Sequence, residues 1–166
     1  MVLGIGIDII EIHRIKESVD KFGESFLRKI YTQLEIDYSL SRKNKYQHLA
    51  ARFAAKEAIY KALSSDTDKV YSWQDIEIFN EVNGLPKVKF YGELKDYLND
   101  EKEIKISMSH SDNYVTCVAI VYSSKGLWPP HLFRLPIRYT IKLNSELRQR
   151  LLIILQSHLE VLHWYM

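Results

Sequence analysis

The sequence predicts an α+β fold in which a small antiparallel sheet packs against one long helix. Three observations carry that prediction. Residues 44–63 are rich in alanine and contain no glycine or proline, so they form an uninterrupted helix. Residues 75–79 and 87–91 alternate apolar and polar side chains on either side of Asn83-Gly84-Leu85-Pro86, a hairpin with a loop longer than two residues. Residues 104–109 alternate again, and 114–122 are mostly β-branched or aromatic. These are two further strands joined by a turn at Ser111-Asp112-Asn113.

The remaining elements follow in order. Residues 2–10, Val-Leu-Gly-Ile-Gly-Ile-Asp-Ile-Ile, form an apolar, β-branched run expected to be a strand buried on both faces. Residues 11–20 place Ile12, Ile15 and Val19 at helical spacing, with Arg14 and Lys16 on the polar side. Thr32 followed by Glu35 is a capping box that starts a helix over 32–41. Residues 64–72 read as a loop and 91–99 as a short helix. A break near Ser123-Ser124-Lys125-Gly126 divides a domain, residues 1–125, from an extension, residues 126–166. Three of the four prolines fall in that extension. It ends in a predicted helix over 145–163, capped by Asn144 or Ser145.

Composition narrows the function classes. The chain has 166 residues, 46% hydrophobic and 27% charged, which suits one globular domain with a core of its own. Cys117 is the only cysteine, which excludes an intrachain disulfide and a cysteine zinc site and suits a reducing cytoplasm. The N-terminus carries no basic stretch, arguing against a secretory signal. No uninterrupted apolar run, Leu151–Leu155 included, approaches the length of a membrane span. Net charge is +2, and residues 1–125 hold 18 basic against 19 acidic side chains. A body so near neutrality argues against nucleic-acid binding.

Several residues break these patterns. Asp8 is an acid within an apolar strand, costly to bury unless it is paired or metal-bound; alternatively it starts the next helix. Gly4-Ile-Gly6 lacks the third glycine of a dinucleotide fingerprint, since Ile9 stands in its place. On a helical wheel, Glu57 falls within the stripe of Tyr46, Leu49, Ala50, Phe53 and Tyr60, which points it toward the core. Lys61, one turn on, offers a salt bridge. Two carboxylates with room for water and phosphate oxygens make a magnesium site, and Asp8 and Glu57 are the candidates. Arg52 and Lys56 share a helix face and repel unless an anion lies between them; a phosphate ligand or plain solvation would each serve. His110, between Ser109 and Ser111 at a strand end, is placed either to meet a phosphate or to sit at the surface. No nucleophilic-elbow motif is present. Cys117 lies in an apolar strand and reads as core.

Taken in order, Gly4-Ile-Gly6-Ile-Asp8, Arg14, Arg52-Phe-Ala-Ala-Lys56-Glu57-Ala-Ile-Tyr-Lys61-Ala62, Gly84-Leu85-Pro86 and Ser107-Met-Ser-His110-Ser111 with Tyr114 resemble the holo-acyl-carrier-protein synthases. These are small 4'-phosphopantetheinyl transferases of bacterial fatty-acid synthesis. The resemblance spans residues 1 to about 123 and implies the transferase fold of that family. It implies transfer of phosphopantetheine from coenzyme A to a serine of apo acyl carrier protein, with release of adenosine 3',5'-bisphosphate. Magnesium would be held by Asp8 and Glu57, with Lys61 neutralising the pyrophosphate. Arg52, Lys56, Gly84, Pro86 and His110 would line the coenzyme A site. Arg14, Lys21 and Arg28 would meet the acidic carrier protein. A cytoplasmic homotrimer with sites between subunits is also implied. Two features depart from the family: Ser64-Ser65-Asp66-Thr67-Asp68 replaces a glycine-containing loop, and residues 126–166 extend past the usual end. Two other functions remain open: a different phosphate-transferring or nucleotide-cleaving enzyme, and a non-catalytic binding module.

Overall fold

The structure is a computed structural model, and it describes residues 1–64, 71–99 and 101–123. The expected helix over 145–163, the extension 126–166 and most of the loop 64–68 lie outside the described residues. The elements run β1 (Val2–Glu11), α1 (Ile12–Ile30), α2 (Gln33–Leu40), α3 (Lys45–Leu63), β2 (Ile76–Asn80), β3 (Pro86–Phe90), β4 (Lys102–His110) and β5 (Tyr114–Ser123). β5 lies between β1 and β4 in an antiparallel three-stranded sheet, and β2 and β3 form a separate hairpin. The α+β expectation therefore holds, with α3 packed on β1 and β5.

Close packing of β1 on α3 depends on two glycines. Gly4 and Gly6 lie on the helix-facing row of β1, where a methyl at Gly6 would overlap the Ala58 carbonyl oxygen and one at Gly4 that of Ala62. Ala58 and Ala62 keep the helix side equally small, and both are fully buried. The strand does not end at Asp8; it continues to Glu11, so Asp8 shares the helix-facing row with Gly4, Gly6 and Ile10. Cys117, opposite Asp8 in β5, is buried as expected.

Four expectations are corrected. First, β1 is not buried on both faces: Ile5, Ile7 and Ile9 are 61–66% exposed. A parallel strand would be covered on both sides, whereas this antiparallel sheet leaves one face open and has β1 at its edge. Second, the helix after β1 runs beyond residue 20 to Ile30. It bends at Gly23, whose φ of 55° lies in the left-handed region that glycine tolerates. Third, 91–99 holds only a single 3-10 turn, Gly92–Leu94. Fourth, the stripe of α3 expected to face the core is buried only at Leu49 and Ala50. Tyr60 is exposed, and Tyr46, Phe53 and Glu57 are half-buried. The buried arc instead carries Leu49, Ala55, Ile59 and Leu63 together with Arg52 and Lys56. Aromatic size misled the wheel: small alanines, not tyrosines, are what the sheet can approach.

The capping box of α2 is present as predicted, with Thr32 and Glu35 bonding reciprocally. The hairpin and the β4–β5 pair also match their predicted spans within two residues.

Candidate active site

Two predicted residues, Asp8 and Lys61, meet across β1 and α3, and the third, Glu57, lies one turn before Lys61 on the half-buried side of α3. The Asp8 side chain is 15% exposed, and its Oδ1 accepts a hydrogen bond from Lys61 Nζ at 2.8 Å. Lys61 also donates to the Ile7 carbonyl at 3.1 Å. The lysine thus turns to β1 rather than to Glu57, the partner its spacing suggested. Among the described residues the Glu57 carboxylate takes no hydrogen bond. Its carboxyl is pushed above the ordinary glutamate range, first by burial and then by the Asp8 charge, with Lys61 opposing. Two acidic groups therefore feel each other across the β1–α3 seam, with a cation already beside one of them. Glu57 also borders a cavity of about 310 Å³ lined by Tyr60, Tyr71, Ser72, Trp73 and Ile76. Phe53 stacks on Trp73 at its side, with ring centroids 5.5 Å apart.

Arg52 and Lys56 point elsewhere. Both lie in the interior, and the anion between them is the protein's own Glu35. Lys56 Nζ reaches Glu35 Oε2 at 2.8 Å and donates to the carbonyls of Trp73 and Ile76, with both charged side chains fully buried. Glu35 also accepts from the backbone N–H groups of Thr32 and Ile78. Burial pushes the Glu35 carboxyl up and the Lys56 ammonium down, yet every partner of Glu35 is a donor, which suits the carboxylate. Lys56 therefore does not face a coenzyme directly in the chain by itself. Its ammonium ties α2 and β2 to α3.

Arg52 has its guanidinium 4.3 Å from the centre of the Tyr38 ring, donates to the His48 carbonyl and to Asn80 Oδ1, and leaves Nε buried without a partner. Arg42 packs against the same Tyr38 at 4.4 Å. His48 is held below the usual imidazole range, first by burial and then by the charges of Arg52, Arg42 and His110. Positive charge thus gathers at the N-terminal end of α3. His110 belongs to this end: its Nδ1 lies 2.7 Å from Gln47 Nε2. Because the Gln amide nitrogen can only donate, that ring nitrogen is the acceptor. Gly84 and Pro86 form the β2–β3 turn, with Gly84 at φ 86°. His110 pairs with Val115, which pairs with Ile10, two residues along β1 from Asp8, so the His110 end and the Asp8–Lys61 cluster lie two strands apart on one sheet.

Arg14, Lys21 and Arg28 are all exposed on α1. Arg28 is paired with Glu24, and Lys21 lies 5.1 Å from the Phe22 ring, itself 54% exposed. No pattern in the sequence marked Glu35 as the buried counter-ion, Gln47 as the histidine's partner, or Asn80. Glu35 carried a signal as a capping residue, but its second oxygen reaches Lys56 only through tertiary packing.

Comparison with known proteins agrees with this geometry. Residues 4–119 match the model of the 4'-phosphopantetheinyl transferase superfamily. A holo-[acyl-carrier-protein] synthase of Protochlamydia amoebophila is 45% identical over 120 residues, covering 72% of this chain and 98% of that protein. The crystal structure of a holo-(acyl-carrier-protein) synthase from Bacillus anthracis in complex with CoA (3',5'-ADP) is 34% identical at a TM-score of 0.62, covering 75% of this chain and 99% of that one. The Neisseria meningitidis holo-[acyl-carrier-protein] synthase structure is 30% identical at a TM-score of 0.66, over 73% of this chain and 98% of that one. With the glycine-dependent β1–α3 seam and the carboxylates that flank it, these likenesses identify the chain as an enzyme of the 4'-phosphopantetheinyl transferase superfamily, in the holo-[acyl-carrier-protein] synthase family.

Proposed function

We propose that this chain transfers 4'-phosphopantetheine from coenzyme A to a serine of apo acyl carrier protein, releasing adenosine 3',5'-bisphosphate and supplying fatty-acid synthesis in the cytoplasm. The observation that carries the proposal is the Asp8–Lys61 ion pair across β1 and α3, with the half-buried Glu57 one turn before Lys61 on α3. Their donor set fits magnesium: two carboxylates, one raised by the other's charge, with an oxygen-only chemistry that leaves positions for water and phosphate. Asp8 and Glu57 would hold the ion, which when bound polarises phosphate oxygens and lowers the pKa of bound water.

The chain's own residues supply positioning and charge. Lys61, anchored by the Ile7 carbonyl, stands to neutralise pyrophosphate oxygens beside Asp8. The exposed Arg42, backed by the charge of the buried Arg52 and flanked by His110 and the Gly84–Pro86 turn, suits the phosphate and nucleotide part of coenzyme A. No nucleophile is required from the enzyme, because the attacking serine belongs to the carrier protein. Phosphoryl-type transfer depends mainly on alignment and charge stabilisation.

The same proposal includes a homotrimer. The apolar outer face of the sheet, with Ile5, Ile7 and Ile9 exposed, favours self-association. Arg14, Lys21 and Arg28 on α1 would receive the acidic carrier protein, with electrostatic steering.

The test is the intact mass of apo carrier protein after incubation with the chain, coenzyme A and magnesium. The expected result is a gain of one phosphopantetheine; cleavage of coenzyme A without that gain would favour a nucleotide-cleaving enzyme. Arg14→Glu is expected to raise the KM for carrier protein about tenfold or more while coenzyme A affinity holds. Equal loss of both would remove Arg14 from the docking surface.

A further inference from the structure

We infer that Asn80 is a positioning residue for coenzyme A, setting the Gly84–Leu85–Pro86 turn against α3. This rests on the transferase reading above. Asn80 ends β2, opposite Pro86 at the start of β3. Its side-chain amide makes two bonds in opposite senses. Oδ1 accepts from Arg52 Nη2 at 3.1 Å, and Nδ2 donates to the Gly84 carbonyl at 2.9 Å. The orientation of the amide follows from its neighbours: a guanidinium can only donate and a carbonyl can only accept.

Arg52 is a firm anchor for this relay. It is 2% exposed, packed on Tyr38 and bonded to the His48 carbonyl. The turn at the other end is held by short-range contacts alone: Gly84 N–H to the Glu81 carbonyl, Glu81 N–H to the Leu85 carbonyl, and Leu85 N–H to Asn83 Oδ1. Those bonds shape the turn but do not tie it to the helix. Among the described hydrogen bonds, the Asn80 amide is the link between the turn and α3. A turn that meets a ligand must be held to the rest of the site as well as folded within itself.

Asn80→Asp separates the two bonds. A carboxylate still accepts from Arg52, now with charge assistance, but it cannot donate to Gly84 and repels that carbonyl. Positioning and simple stabilisation of Arg52 therefore predict different outcomes. Positioning predicts that Asn80→Asp raises the coenzyme A dissociation constant and apparent KM about three- to tenfold, the range expected for one lost hydrogen bond. kcat and the KM for carrier protein stay within about twofold, and Tm stays near the parent's. A merely structural role predicts that aspartate rescues everything.

Gly84→Ala provides the second variant. It strains the turn at φ 86° without touching Arg52, and it is expected to raise the same dissociation constant. Binding is measured by calorimetry on the full chain. If the parent binds coenzyme A and both variants bind it equally well, this inference falls while the transferase reading stands. If the parent does not bind coenzyme A, both fall.

Discussion

Glu57 shows most clearly how function and stability oppose each other at one residue. Burial and the Asp8 charge hold its carboxyl above the ordinary range. A carboxyl raised on folding contributes stability that is complete below its unfolded value and lost as pH rises through its folded value. At neutral pH the ionised Glu57 therefore costs the fold something. Glu57→Gln is expected to abolish phosphopantetheine transfer while leaving Tm at neutral pH equal to the parent's or slightly higher. A clear fall in Tm, measured by calorimetry, would make Glu57 a structural residue. The residue was legible in the sequence as an acid inside an apolar stripe, but the reason was inverted. The stripe of tyrosines and Phe53 lies at the margin of the fold, and Glu57 is half-buried there. Asp8 was legible for the right reason, an acid on the helix-facing row of an apolar strand.

Among the elements, α3 organises the molecule by carrying charge on both sides. Its alanines let Gly4 and Gly6 close on it, and the opposite arc buries Arg52 and Lys56. Sequence spacing showed that two cations one turn apart need an anion, yet left open whether it came from a ligand. The answer is Glu35, brought in by α2, and only the packing of that short helix could reveal it. Glu35→Gln leaves a buried ammonium without its counter-charge. The expected loss of unfolding free energy is about 3–5 kcal/mol, the cost of breaking a buried pair from one side. Urea denaturation measures it, and a loss below about 1 kcal/mol would mean that solvent reaches Lys56. The β2–β3 hairpin and the β4–β5 pair were legible, since the patterning of 75–91 and of 104–122 marks strands joined by turns. The exposure of one face of β1 was not, because a continuous apolar run reads the same whether its second face meets helices or another subunit.

For the whole molecule, the open apolar face favours self-association. Ile5, Ile7 and Ile9 project from an edge strand into solvent, a patch that a single chain in water has reason to cover. If the proposed homotrimer with sites between subunits is right, Ile7→Lys is expected to convert it to monomers in light scattering and to lower transfer at least tenfold. A monomeric parent of full activity would show that one chain suffices. The family motifs made the active-site end readable from sequence. The homotrimer entered only as what the family resemblance implies, because side chains that meet a partner and side chains that form a core are the same kinds of residue.

Manganese, a spin-active stand-in for magnesium, tests most directly whether two distant acids share one ion. Its binding to the chain in the presence of coenzyme A can be followed by electron paramagnetic resonance. One tight site is expected in the parent, with affinity falling tenfold or more in both Asp8→Asn and Glu57→Gln while coenzyme A remains saturating. Parental affinity in either variant would contradict the convergence of Asp8 and Glu57 on a single metal.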